Sequence, residues 1–274
     1  MTSGEFSSPQ FVLPPLPELR STSVFGQTIR YYDVGAGPAL VLLHGIGGDA
    51  DDWAFCLDAL SQSQRVIALD LLGFGRSGKP YINYSIAGFV EVVQQFLQAL
   101  GTERASLMGN SLGGWIATSF ALQFPAIVDK LVLVDAAGLW GSTVALPIDL
   151  RLSTRHHLRE AFEFLFHDKS LVTDDLVDLA YRQHLERGDG YTIHNLLQHL
   201  PDGREWLDRN IAVLEVPTLI VWGEQDAMIP VETGRQFHRQ IPNSRLEIIS
   251  KCGHLPALEQ PAELLRLVLN FLAS

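Results

Sequence analysis

The sequence predicts an α/β domain organised around a mostly parallel sheet. Three observations carry that prediction. Short, near-continuous apolar runs recur along the chain, stretches with helical spacing separate them, and one long segment, Leu139–Asn210, shows helical patterns only.

The strand candidates are IRYYDV (29–34), ALVLL (39–43), RVIALD (65–70), ASLMG (105–109), LVLVD (131–135), PTLIVW (217–222) and RLEIIS (245–250). Apolar runs this short and continuous suit strands buried on both faces. Between them, 86–101 places Phe89, Val92, Val93, Phe96 and Leu100 at steps of three and four and stops at Gly101, suited to a left-handed cap. The C-terminal segment starts a helix at Pro261 and carries an apolar stripe to its end. Strands alternating with helices imply βαβ units. Residues 139–210 break that rhythm with LREAFEFLFHD, TDDLVDLAYRQHLE and YTIHNLLQHL, punctuated by Gly and Asp at 188–190 and 202–203. A helical insertion between two sheet strands reads as a cap. The expected organisation is an N-terminal arm (1–20), a core (21–138 and 211–274) and a helical cap, or lid (139–210).

Composition narrows the function classes. The chain has 274 residues, 47% hydrophobic and 19% charged, enough to bury a sizeable core. Its net charge is −11 with no Lys/Arg-rich block, so nucleic acid is not expected as a partner. No apolar run reaches the roughly 18–20 residues that span a bilayer, so no membrane association is expected. The N-terminus lacks a basic region, and Pro14, Pro15 and Pro17 break its apolar stretch, which speaks against a secretory signal. The arm is expected to fray or lie on the surface. Two cysteines, Cys56 and Cys252, exclude a disulfide scaffold and suit a reducing, cytoplasmic setting. A monomer or homodimer acting on a small molecule fits these features.

Gly109-Asn110-Ser111-Leu112-Gly113 is a G-x-S-x-G sequence between the strand ASLM and a small-residue helical pattern. A sharp strand-to-helix turn there would expose the Ser111 hydroxyl, and the helix N-terminus would favour developing negative charge. A serine hydroxyl is a weak nucleophile at neutral pH, so it needs a base, and the base needs an orienting acid. His254, in SKCGH after the last strand, is the candidate base. Asp226, in GEQD after PTLIVW, is the candidate acid. All three fall at strand C-terminal ends, where such sheets place ligands. Asp135, ending LVLVD, competes for the acid role; the Gly-x-x-Asp loop favours Asp226. The Gly-rich loop Leu43–Gly48 follows the second of these strand candidates, and the backbone N–H groups of Ile46 and Leu112 are the candidate oxyanion donors. His44 is read as holding that loop, with Gly45, Gly47, Asn110, Trp140 and Leu255 as candidate pocket residues.

No cofactor or metal is expected. Asp49, Asp51 and Asp52 suit capping of the next helix, and His156-His157 and His194…His199 lack the i, i+4 spacing of ligands on one helix. Asp70 and Ser77 are expected to hold a turn near the oxyanion loop. Phe162, Phe164, Leu165, Phe166, Trp140 and Trp206 make the cap apolar, most of them as its core and some facing the cleft.

HGIGG, DLLGFGRS (70–77), GNSLGG, WGEQD and KCGH, in that order, resemble the α/β-hydrolase superfamily from about residue 25 to the end. The resemblance implies an α/β-hydrolase fold, with an eight-stranded, mostly parallel sheet and a helical cap after strand 6. Ser111 excludes the haloalkane-dehalogenase and epoxide-hydrolase branches, which use Asp as nucleophile. GNSLGG, FLFHDKSLVTDDL (164–176) and SKCGH are similar to the carbon–carbon bond hydrolases of aromatic meta-fission products. Those enzymes carry a Trp after the catalytic His, where this chain has Leu255. They carry a cap Arg where a gapless reading gives Ala180, with Arg182 nearby. Both groups contact the substrate's dienoate and carboxylate. The leading expectation is therefore a serine carboxylesterase for small apolar esters. C–C hydrolysis of a dienoate is the alternative within the superfamily, and a ligand-binding signalling receptor with vestigial hydrolysis the alternative outside enzymes.

Overall fold

The computed structural model describes residues 12–141, 154–199 and 203–274. The start of the expected arm, 1–11, and parts of the expected cap, 142–153 and 200–202, lie outside the described residues. Eight strands form one sheet: β1 (Arg20–Val24), β2 (Gln27–Val34), β3 (Ala39–Leu43), β4 (Arg65–Leu69), β5 (Ala105–Asn110), β6 (Val128–Val134), β7 (Thr218–Gly223) and β8 (Ser244–Ile249). Their order is β1-β2-β4-β3-β5-β6-β7-β8. β1 pairs antiparallel with β2 and β2 with β4; every other pairing is parallel.

β1 is the strand that apolar runs did not reveal. RSTSV buries only Val24, because an edge strand has no need of a continuous apolar run. It joins β2 through Phe25 and Gly26, at φ 50° and 75°, the paired positive angles of a type I′ hairpin.

The central strands are apolar on both faces because both are covered. Val41 and Leu43 point into one layer with Phe89, Phe96, Ile116 and Phe120, from α2 (Ile86–Ala99) and α3 (Leu112–Gln123). Leu40 and Leu42 point into the other, with Leu57 and Leu60 of α1 (Ala54–Ser61) and Leu264 and Phe271 from the C-terminal end. α2 is capped by Ser85, whose Oγ accepts from Gly88 N at 3.1 Å, and it ends before Gly101 at φ 63°, as the sequence predicts.

Between β6 and β7 the described residues hold α4 (Arg155–Leu165), α5 (Asp174–Arg187) and α6 (Gly190–His199), and no strand. α7 (Val231–Gln240), α8 (Pro256–Glu259) and α9 (Pro261–Ala273) complete the chain. Thr154 and Thr173 cap α4 and α5, and Gly188 closes α5 in the left-handed region at φ 67°. In the described part of the arm, Leu16 and Leu19 pack against the α1/α9 layer. No helix among the described residues is long and apolar enough to cross a membrane.

Buried charge joins the helical segment to the sheet. Arg187, at the end of α5, forms ion pairs with Asp49 and, at 3.4 Å, with Asp51 Oδ2. Asp49 caps the next short helical turn, accepting from Asp51 N at 2.8 Å. Asp51 does not cap, contrary to the expectation. Its Oδ1 takes the Tyr32 hydroxyl and Arg76 Nη2, both at 2.8 Å, making it an anchor between core and inserted helices. Asp70 accepts from Ala50 N and from Arg76 N and Nε, and Ser77 Oγ donates to Asp70 O at 2.6 Å. This is the turn that DLLGFGRS was expected to hold.

Removing one partner from a buried pair strands the other's charge, at about 3–5 kcal/mol. Arg187→Leu should therefore lower the urea unfolding midpoint sharply. Adding Asp49→Asn should recover part of the loss. Equal midpoints for the single and double variants would show that the two charges are not coupled.

Candidate active site

At the junction of β5 and α3 the chain turns through Ser111, whose φ of 52° and ψ of −117° lie where L-residues are rarely held. Ser111 N donates to Val134 O at 3.1 Å, and Ser111 O accepts from Gly114, Trp115 and Ala137 N. Glycine is required on both sides. A Cβ on Gly109 would collide with the Gly113 backbone, and one on Gly113 with the carbonyl of Leu43. Ser111 is buried from bulk solvent and faces a cavity of about 180 Å³. For scale, a cavity of about 150 Å³ holds a benzene ring.

Gly45, Ile46, Gly47 and Gly48 line the same cavity, with Gly48 N closing onto Gly45 O at 3.2 Å. Leu112 is the first residue of α3, so its N–H has no acceptor within the helix. No protein acceptor is found for the Ile46 N–H among the described residues. His44 is fully buried with both ring nitrogens engaged by backbone: Nδ1 lies 2.7 Å from Gly45 O, and Nε2 accepts from Leu71 N at 3.0 Å. This arrangement requires the neutral ring with its proton on Nδ1. Burial is the main cause that lowers its pKa to about 4.

His254 lines the cavity, and its Nδ1 lies 2.7 Å from Asp226 Oδ2. Asp226 Oδ1 accepts from Met228 N at 2.8 Å and Ile229 N at 2.9 Å, so both oxygens of this buried carboxylate are engaged. The imidazole loop is pinned from several sides. His254 N donates to Leu165 O, Asn110 Nδ2 donates to His254 O at 3.2 Å, and Gly253 N donates to Glu259 Oε1 at 2.9 Å. The Glu259 carboxylate also accepts from His167 N at the end of the α4 segment. The fold thus brings Ser111, Asp226, His254, Asn110 and the Gly45–Gly48 loop together at one edge of the sheet.

Other expected positions fall differently. Leu255 lines the cavity, as does Ala180. Trp140 does not: it is 64% exposed, packs edge-on against Trp206, and donates its N–H to Asp208 at 2.7 Å. Its place at the start of the insertion, outside α4–α6, turns it away from the cavity. Of the cap aromatics, Phe162 faces the cavity and Phe166 is buried in the α4–α5 core. Apolar pattern alone left several lining residues unnoticed: Leu13 of the arm, Leu158, Leu176 and Leu179 of the helices, and Met228. Among the described residues Arg187, not Arg182, is the arginine that lines the cavity. Among the described residues, Asp135, Asp226 and His254 form a cluster whose ligand atoms lie within 4.8 Å of one another, but Asp226 and Asp135 do not line the cavity.

A histidine held neutral makes stability depend on acid. Between its ordinary value of 6.5 and about 4, the unfolded chain binds a proton at position 44 that the folded chain refuses. Stability should fall as pH drops through that window, by up to about 3 kcal/mol from this group, and level off below it. Urea unfolding of His44→Asn should be weaker at neutral pH yet flatter between pH 6.5 and 4; parallel curves would contradict the buried neutral ring.

The chain matches the Alpha/beta hydrolase family over residues 40–267. It is 33% identical over 268 residues to a 2-hydroxy-6-oxo-2,4-heptadienoate hydrolase of Pseudomonas putida, covering 91% of this chain and 94% of that one. The fold is similar to a solved meta-cleavage product hydrolase from Pseudomonas fluorescens, with a TM-score of 0.83 and 29% identity over 93% of this chain and 97% of the other. It is also similar to a putative lipase from Acinetobacter baumannii, with a TM-score of 0.86 and 25% identity over 93% and 91%. This protein is a hydrolase of the α/β-hydrolase family.

Proposed function

We propose that the protein is a serine hydrolase with Ser111 as nucleophile, His254 as base and Asp226 as acid, acting as a carboxylesterase on small apolar esters. The observation that carries the ester reading is the cavity's surface at two points. Leu255 and Ala180 both line it, where the resembled C–C hydrolases place the Trp and Arg that contact a dienoate carboxylate. Arg187, which does reach the cavity, is committed to Asp49 and Asp51. An anionic substrate head would therefore lose its hydration without gaining an uncommitted arginine.

With Nδ1 turned to Asp226, the other imidazole nitrogen, Nε2, is the one that takes the proton of Ser111 Oγ as that oxygen bonds to the ester carbonyl carbon. The negative charge forming on the carbonyl oxygen is met by the N–H groups of Ile46 and Leu112, at the end of the α3 dipole. The carbon–oxygen bond to the leaving group then breaks, and the departing alkoxide takes the proton from His254. Water repeats the sequence, its proton passing to His254 and back to Ser111 as the acid is released. The apolar walls from Phe162, Leu176 and Leu179 suit an alkyl or aryl acyl group.

The second reading is C–C bond hydrolysis of a meta-cleavage type substrate. Two of the three proteins named above favour it, since their names carry that activity and they match this chain over nearly its whole length.

Two assays decide. Nitrophenyl esters of short to medium acyl chains should be hydrolysed, and Ser111→Ala should lower kcat by at least about a thousandfold. A 2-hydroxy-6-oxo dienoate should lose its visible absorbance slowly or not at all. If the dienoate gives a higher kcat/KM than every ester, the C–C reading replaces this one. Undiminished turnover by Ser111→Ala would end both.

A further inference from the structure

The triad assigned above leaves one buried acid unused. Asp135 follows β6, is fully buried, and sits at φ 43°. Its N–H donates to Val221 O at 3.0 Å and its Oδ1 accepts from Gly223 N at 2.8 Å. Its Oδ2 is buried with no hydrogen-bond partner. Carboxylate oxygens of Asp135 and Asp226 and an imidazole nitrogen of His254 all lie within 4.8 Å of one another.

Two ionised carboxylates cannot share a buried space this tight without a cation between them. Asp226 is the member whose carboxylate oxygens are met by donors, accepting from Met228 N, Ile229 N and His254 Nδ1. Asp135 has one donor and one bare oxygen. We propose that Asp135 is protonated on Oδ2 at neutral pH and donates that proton as a hydrogen bond to Asp226, which makes it a positioning residue for His254. This rests on the triad assignment. The other ionisable groups around it act in the same direction or stay silent. Burial first, then the charge of Asp226 and that of Glu259, favour the protonated form of Asp135. Glu259 is itself held by the N–H groups of His167 and Gly253, and the neighbouring Cys252 thiol is kept neutral by burial.

The consequence is electrostatic. With the proton in place, the Asp135–Asp226 pair carries a single negative charge, and part of it is drawn toward Asp135. The imidazole is then oriented by Asp226 beside one negative charge instead of two.

The test is the pH dependence of kcat/KM, whose acid limb reports the free enzyme's base. Asp135→Asn keeps an acceptor for Gly223 N and offers an amide N–H to Asp226. It should lower kcat/KM by about three- to tenfold, because an amide is the weaker donor, and leave the acid limb in place or move it upward. Were Asp135 ionised, neutralising it would move the limb down by about one pH unit, and that result overturns the proposal. Asp135→Ser, also neutral, gives the same two outcomes if the Asn variant does not accumulate. In carbon-13 spectra of the aspartate-labelled wild type, the carboxyl resonance lost in either variant should sit at the protonated position at pH 7; an ionised position overturns it as well. Ser111→Ala keeps the two levels apart. Retained turnover there removes the triad itself, whereas an inactive Ser111→Ala with a lowered limb in Asp135→Asn removes only the proton on Asp135.

Discussion

The backbone at Ser111 is the constraint on which the rest of the site depends. Holding a non-glycine residue at φ 52° costs on the order of 1–3 kcal/mol, and it persists only where the surroundings over-determine it. Here they do. The peptide is bonded to Val134 O on one side and to three N–H groups on the other, and α3 is drawn against β3 until the Leu43 carbonyl leaves no room for a side chain at 113. A serine placed on such a turn projects from the sheet edge instead of packing into either layer. The same closeness brings the N-terminus of α3 beside the Gly45–Gly48 loop, so the Ser111 side chain and the backbone of that loop are positioned by one piece of packing.

Around that turn, polar groups are buried and nearly all are answered. His44 meets two backbone partners, Asp226 meets three donors, and Asp70 binds both backbone and guanidinium. Such satisfaction is what permits polar side chains inside an apolar domain, since an unmet buried group costs about 1–3 kcal/mol. Among the described residues Asp135 Oδ2 is one of the exceptions, and it lies beside the acid of the proposed triad. Ionic contacts also fix the inserted helices. Arg187 ties α5 to Asp49 and Asp51, and Leu165 O takes the N–H of His254. The wall of the cavity and the loop carrying the imidazole are therefore joined by direct hydrogen bonds.

Chemistry and selectivity have separate sources in this architecture. The sheet edge supplies the groups that could carry out acyl transfer, and the helices after β6, with Leu13 of the arm, supply the apolar walls. Proteins similar to this chain are accordingly named as meta-cleavage product hydrolases and as a putative lipase. That division is why names of relatives settle the hydrolase class sooner than the substrate. Ala180 and Leu255 give the cavity an apolar surface at two points beside the Ser111 turn, the Gly45–Gly48 loop and the His254 loop.

What the sequence determined by itself is whatever depends on local pattern. Strands covered on both faces must be continuously apolar, which made the central ones legible, and β2 and the edge strand β8 were legible from shorter apolar runs; a turn that admits no side chains must be glycine-flanked, which marked Ser111; and the strand ends marked Asp226 and His254. β1 escaped because an edge strand may be polar. Tertiary structure alone decided which face of each helix meets the cavity. It turned Phe162 inward and Trp140 out, sent Arg187 instead of Arg182 to the cavity, made Asp51 an anchor, and set Leu13 beside residues far away in the chain. It also put Asp135 against Asp226, two strand ends that no spacing rule connects. Periodicity records that a side chain is buried, whereas its partner is fixed by how rigid elements stack, and that stacking is a property of the whole chain.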